Sequence, residues 1–297
     1  MQNNTEEKKS ISERLDFAYN ARLTDIKLST SQALTAYEES CTIKDTYLEL
    51  RAINMICTAA LYNQDFKEHD KWIDLLLRRS IELNNLAYKG KSYIFKYRWS
   101  FKAGKLTEAA QFLLNALEFL DSEKHPQIVA TCYNGLGRIY YRNKNYDKAY
   151  EYLMLAKPFA ANLPLGFFLN LQQNIAAIHI LRKDYAKAWN IFHDLLPKIP
   201  DSELVIKTIV LQNLGHICQI TNELTEALYY FQQTLQIKLN AGISEEIIRT
   251  LCNIVYIYLD SNNPSKAYDT LLLAKQKLPN CDLTEEIYLY KAYMSSL

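Results

Sequence analysis

Apolar residues along this chain recur three and four positions apart in long blocks, and short polar stretches separate one block from the next. That spacing is the signature of amphipathic helices with one buried face. The stretch from Tyr133 to Ala156 shows the pattern most plainly. Tyr133, Leu136 and Tyr140 share one face of a predicted helix, and Gly137 leaves a notch without a side chain where another helix can approach. Tyr146, Ala149, Leu153 and Ala156 form the facing stripe of a second helix. The intervening Arg142-Asn143-Lys144-Asn145 contains no apolar residue and two turn formers, so the chain reverses there and the helices pack antiparallel.

The same hairpin repeats along the chain. Aligned on the small residue of each second helix, the units read Ala33, His69, Ala109, Ala149, Ala188, Ala227 and Ala267, in steps of 36 to 40 residues. Other columns keep their offsets from it. The second helices carry Tyr37, Ile73, Leu113, Leu153, Phe192, Phe231 and Leu271, and they open on Phe66, Leu106, Tyr146, Tyr185, Leu224 and Pro264 in the second to seventh units. Proline fits there, because the first helical position needs no hydrogen-bonded N–H. The first helices carry an apolar column of Ile56, Leu136, Ile175, Leu214 and Ile254, followed by a small column of Cys57, Gly137, Ala176, Gly215 and Val255. In the third unit Lys96 and Tyr97 stand in these two places, so the helix packing expected there departs from the pattern.

Leu136-Gly137, Tyr140, Tyr146, Ala149 and Leu153 resemble the tetratricopeptide repeat (TPR) signature, in which Leu-Gly-x-x-Tyr is followed by a later Ala and a later aromatic. The resemblance implies an all-α fold, a right-handed superhelical solenoid of αα-hairpins with about seven repeats and a C-terminal helix. A period near forty is longer than the ordinary repeat of this family. It resembles the long-period arrays of bacterial signalling and transcription-regulating proteins. The extra residues are expected between hairpins, at stretches 121–126, 163–166, 197–202, 240–242 and 279–282, which are rich in Pro, Gly, Asn and Asp.

Residues 1–10 are polar and without period and read as a mobile tail, 11–283 as the repeat array, and 284–297 as a capping helix or the start of an eighth repeat. The cap reading rests on the need of a terminal repeat to cover apolar surface. The other rests on Tyr288, Tyr290, Tyr293 and Met294, which are apolar for a solvent-facing cap.

Composition narrows the function classes. The 34 Lys and Arg nearly cancel the 33 Asp and Glu, so no overall field draws the chain to nucleic acid or to an anionic membrane. Any charge-based recognition must be local. Only 7 Gly and 7 Pro argue against a turn-rich sheet or a phosphate-cradling loop. The start MQNNTEEKKS lacks the apolar core of a signal peptide, and no apolar run is long enough to span a membrane, which points to the cytoplasm. Cys41, Cys57, Cys132, Cys218, Cys252 and Cys281 show no paired spacing and read as small buried thiols.

Nothing in the sequence assembles catalytic chemistry. His69, His125, His179, His193 and His216 lie far apart, and none has a Cys, Asp or Glu at metal-ligand spacing, so no metal and no cofactor is expected. Gly135-Leu-Gly137 lacks the third glycine and the preceding strand of a dinucleotide loop, and reads as a packing notch. Glu108, Glu226, Glu245 and Glu246 read as solvated helix faces. His216 follows Gly215 and is expected on the side of its helix away from the hairpin partner, where it either contacts a ligand or serves the structure.

Recognition is expected on the faces of the first helices, which in the TPR family line a concave groove. Those faces carry Arg51, Asn54 and Thr58, then Lys91 and Arg98, then Asn134, Arg138 and Arg142. Further on they carry Asn170, Gln173 and Asn174, then Gln212, Asn213 and His216, then Arg249, Asn253 and Tyr256. Asn174, Asn213 and Asn253 occupy one column. A carboxamide both donates and accepts, so such a ladder can pair with an extended peptide backbone, or it can bond to the adjoining repeat. The resemblance implies the clamping role. Arg98, Arg138 and Arg142 can engage a carboxylate or remain solvated.

Two functions fit. One is a non-catalytic scaffold that captures an extended peptide or partner segment in its groove, with no direct contact to nucleic acid or membrane and with homo-oligomers possible. The alternative is the sensory region of a bacterial signalling or transcription-regulating protein that answers a peptide or partner by changing conformation.

Overall fold

The computed structural model describes residues 2–22, 24–63, 66–160, 163–241 and 247–277, with the side chains of 2–4, 66–69 and 274–277 outside that description. Residues 284–297, Glu245, Glu246 and Cys281, and the side chains of Phe66 and His69, therefore lie outside the description. Everything described is helix or connecting turn. The chain forms two compact units, residues 1–164 and 165–297.

The first unit holds four hairpins. They are α1 (Gln2–Ala21) with α2 (Ile26–Thr42), α3 (Thr46–Asn63) with α4 (Phe66–Glu82), α5 (Leu86–Lys102) with α6 (Leu106–Leu117), and α7 (Pro126–Arg142) with α8 (Tyr146–Ala160). The first helices α1, α3, α5 and α7 also touch in sequence, forming one layer. The second unit holds α9 (Leu165–Leu181) with α10 (Tyr185–His193), α11 (Leu204–Ile220) with α12 (Leu224–Ala241), and α13 (Ile247–Asp260) with α14 (Pro264–Lys277).

The repeat register fixes both the helix starts and the core. Helices α4, α6, α8, α10, α12 and α14 begin at the predicted opening residues, three positions before the aligned Ala or His. Ala33, Ala109, Ala149, Ala188, Ala227 and Ala267 are all completely buried. A methyl group there lets the hairpin partner come close, and Leu113, Leu153, Phe192 and Phe231 fill the space one turn on. Each such side chain contributes about 1.5–3 kcal/mol of burial before chain entropy is subtracted.

The turns share one mechanism. Lys44, Asn84, Gly104, Lys144, Lys183, Asn222 and Asn262 each have positive φ, between 50° and 78°. The residue after each donates its N–H back to the carbonyl five positions earlier, as in Asn145 to Tyr140 at 2.9 Å and Asp184 to His179 at 2.8 Å. This is the bond of a Schellman cap, and it satisfies helix-end carbonyls while reversing the chain. In several turns that same residue caps the next helix. Asp45 accepts from the Leu48 N–H at 2.9 Å, Asn85 from Tyr88 at 3.1 Å and Asn145 from Lys148 at 3.2 Å.

Two expectations need revision. Residues 2–10 belong to α1, because Glu6, Glu7, Lys8 and Lys9 are good helix formers and Lys8 Nζ pairs with Asp45 at 2.9 Å. The third hairpin packs well despite its odd pair. Tyr97 is 3 % exposed and its ring lies over Gly135 of α7, where a methyl carbon would stand 3.1 Å from Tyr97 Cζ. Lys96 turns outward to Asp74 at 2.8 Å. The large residue in the small column is thus accommodated by a glycine in the neighbouring repeat.

Of the cysteines, Cys57, Cys132, Cys218 and Cys252 are buried while Cys41 is exposed. Burial pushes the Cys132 thiol up to about 12 and Cys218 up to about 11, so neither is a nucleophile at neutral pH. Among the described residues no helix is long and apolar enough to cross a membrane, and no group of three His, Cys, Asp or Glu side chains could hold a metal ion.

Candidate binding groove

In the first unit α3, α5 and α7 converge on a groove of about 220 Å³. Its wall is made of Asn54 and Thr58 from α3, Lys91, Ile94, Phe95 and Arg98 from α5, and Gln127, Ile128 and Thr131 from α7. Helical spacing explains the set. Asn54 and Thr58 are four apart, Gln127 and Thr131 four apart, and Lys91 and Arg98 seven apart, so each helix offers one stripe. Asn54, Thr58, Lys91 and Arg98 were legible as groove residues from their columns. Gln127 and Thr131 join the wall from the first turns of α7, where no repeat column marks them in the sequence.

Among the described residues the groove wall carries two cations and no carboxylate. Burial lowers the Lys91 ammonium from its ordinary value, and the nearby Arg51 guanidinium adds to the effect. Arg98 is exposed to water, and the groove walls together with the Arg138 guanidinium lower it from its ordinary value. Lys91 lies over the Tyr88 ring at 4.4 Å. Arg51 is otherwise engaged, donating to Ser12 Oγ at 2.7 Å and pairing with Asp16 at 2.5 Å. The hydroxyls of Thr58 and Thr131 donate to the carbonyls of Asn54 and Gln127 in their own helices, at 2.8 Å each.

The other predicted residues of this unit lie differently. Asn134 is only 6 % exposed, so it is part of the packing between helices. Arg138 and Arg142 are exposed and sit 5.0 and 5.2 Å from the Phe101 ring, and Arg142 Nη1 donates to the Phe101 carbonyl at 3.0 Å. Arg142 thereby ties the end of α5 to α7.

In the second unit Asn174, Asn213 and Asn253 are each half-buried. Asn213 Nδ2 donates to the Ile209 carbonyl at 2.8 Å, Asn174 Nδ2 lies 3.4 Å from Asn170 Oδ1, and Asn253 Nδ2 lies 3.5 Å from His216 Nε2. A guest backbone would have to displace these bonds. Gln212 is buried and reaches Thr250 Oγ1 at 3.4 Å, bridging α11 and α13. Tyr256 is 38 % exposed on α13.

His216 is not turned away from its hairpin partner as the sequence suggested. Its ring stands edge-on to Phe231 of α12 with centroids 5.2 Å apart, because Phe231 fills the notch of Gly215 and is broad enough to reach the next residue. Burial lowers the pKa of His216, and Arg249 lowers it further.

By sequence, residues 129–156 match the tetratricopeptide repeat family. No curated protein matches the chain. Among solved structures, the apo form of RapI is similar over 95% of this chain and 80% of its own, with a TM-score of 0.68 at 15% identity. The apo form of the quorum sensor NprR from B. thuringiensis is similar over 95% and 80%, with a TM-score of 0.61 at 16% identity. The Rap conjugation gene regulator of the plasmid pLS20 in complex with the Phr* peptide covers 95% and 78%, with a TM-score of 0.50 at 14% identity. At such identities the likeness is one of fold. The fourth hairpin is thus a tetratricopeptide repeat by its own sequence, and the chain has the fold of tetratricopeptide repeat proteins.

Proposed function

We propose that this chain is a non-catalytic repeat scaffold that captures an extended peptide or partner segment on the faces of its first helices. The observation that carries the reading is the groove of the first unit. Three successive first helices present polar and cationic side chains around Ile94, Phe95 and Ile128, a mixture that suits a peptide better than a reaction centre. Asn54 and Gln127 supply amides that can pair with a peptide backbone whatever its side chains. Similar folds include a quorum sensor and a gene regulator in complex with a peptide, which supports the same reading.

Panning a random decapeptide display library tests it. Peptides should be enriched on the wild-type protein and lost on a Thr58→Trp/Thr131→Trp variant, whose indoles fill the groove. No enrichment, or equal enrichment on a folded double variant, would refute the proposal.

A sensory role is the second reading, favoured by the quorum sensor and the gene regulator among the similar folds. An enriched peptide would then change the scattering profile of the protein, whereas a passive scaffold would keep its profile.

A further inference from the structure

The near-zero charge of the whole chain hides an uneven distribution. Residues 1–85 carry 11 Lys and Arg against 14 Asp and Glu, whereas residues 86–160, the third and fourth hairpins, carry 12 against 6. Much of that excess gathers at one edge of the first unit. The first helices α3, α5 and α7 run the same way, because each is followed by an antiparallel partner, so their C-terminal ends and the turns after them share that edge. There Lys102, Lys105, Arg142, Lys144 and Lys148 are all exposed. Of these five, among the described residues, only Lys105 meets an acid, Glu108 at 3.7 Å. The fold does not ask for these charges. Lys105 is the N-cap of α6 and makes no capping bond, and Lys148 lies in the first turn of α8, so both sit at the helix end whose dipole disfavours a cation.

Aromatic rings stand on the same edge. Tyr62 at the end of α3 and Tyr141 at the end of α7 are 49 % and 39 % exposed. Phe101, half-buried at the end of α5, has the Arg142 guanidinium 5.2 Å from its ring, and Tyr146 supports Tyr141 edge-on at 5.7 Å. From this juxtaposition we propose that the edge binds a single-stranded nucleic acid laid across the helix ends, outside the groove. Its phosphates meet Lys102, Lys144 and Lys148, and its bases stack on Tyr62 and Tyr141. Every base offers a flat face to a ring whatever its identity, and every phosphate neutralised releases counterions. The rings decide between anionic partners. An acidic protein face would need only the cations. An anionic bilayer would need Leu, Phe or Trp side chains to enter it, while the large exposed apolar groups at these three helix ends are two tyrosines.

Fluorescence anisotropy with labelled oligomers of about twenty nucleotides, one of deoxythymidylate and one of uridylate, tests this, and the tighter of the two names DNA or RNA as the guest. The wild type should bind at about 50 mM salt, and log K should fall against log salt with a slope of about −2 to −3, three or four phosphates at ~0.7 each. Lys102→Gln/Lys144→Gln/Lys148→Gln should flatten that slope by about 2. Tyr62→Ala/Tyr141→Ala should weaken binding about tenfold or more with the slope unchanged, because stacking releases no counterions. Lys124→Gln, an exposed charge away from this edge, should change nothing, and circular dichroism checks that each variant is folded. No saturable binding in low salt, a slope that survives the lysine substitutions, or full affinity without the two rings would overturn the proposal. So would sedimentation with phosphatidylglycerol vesicles by a protein that leaves both oligonucleotides free.

Discussion

Gly137 faces Leu153 across the fourth hairpin so closely that a methyl carbon on residue 137 would stand 2.6 Å from Leu153 Cγ and 3.2 Å from the Ala149 carbonyl oxygen. The backbone carbonyl cannot yield, so Gly137→Ala should destabilise by about 1–3 kcal/mol through overpacking. Gly166 has nothing within 4 Å of the same position, and Gly166→Ala should change stability by no more than about 0.5 kcal/mol. Urea unfolding of both variants checks the contrast.

Lys144 holds φ at 60° in the turn of that hairpin, and its side chain is exposed. An L-residue in this region costs about 1 kcal/mol relative to glycine. Lys144→Gly should therefore raise the thermal midpoint, whereas Gly104→Ala, at φ 78°, should lower it. A fall for Lys144→Gly would contradict the turn mechanism.

Glu49 of α3 is buried and is held by Arg79 of α4 through two bonds of 2.6 and 2.7 Å. Arg79→Met would strand a buried carboxylate and should cost about 3 kcal/mol. Adding Glu49→Gln should recover a good part of that loss, because the stranded charge goes too. A double-mutant cycle in urea measures the coupling, and a cost unchanged in the double variant would argue against it.

His216 is lowered below its ordinary value by burial and by Arg249. The folded state then binds fewer protons than the unfolded one at acidic pH, so the stability tied to this group is complete above about pH 6.5 and declines as pH falls below it. The wild type should lose more stability between pH 7.5 and pH 5.5 than His216→Gln does. Equal losses would show that the ring is not desolvated in the native state.

The fold was legible because one small residue per repeat must sit against its partner, and a buried methyl leaves a strong periodic mark. Tyr97 broke that pattern, and only the position of Gly135 in the next repeat explains how it fits. The site was legible in part. Lys91 and Arg98 follow from their columns, while Gln127 and Thr131 depend on how α7 is placed beside α5. His216 was misjudged because the reach of the Phe231 ring is not visible in spacing along one helix. Arg142 reads as a groove cation in the sequence, and its bond to the Phe101 carbonyl comes from a helix 41 residues away in the chain.

Site-resolved crosslinking tests the central claim most directly. A benzophenone amino acid is placed at Thr131 on the groove wall, or at exposed Glu151 on the outer helix α8, and the protein is irradiated with a random decapeptide library. Peptide adducts at position 131 and none at 151 are the predicted result. Adducts at 151 alone, or equal labelling at both positions, would contradict capture in the groove.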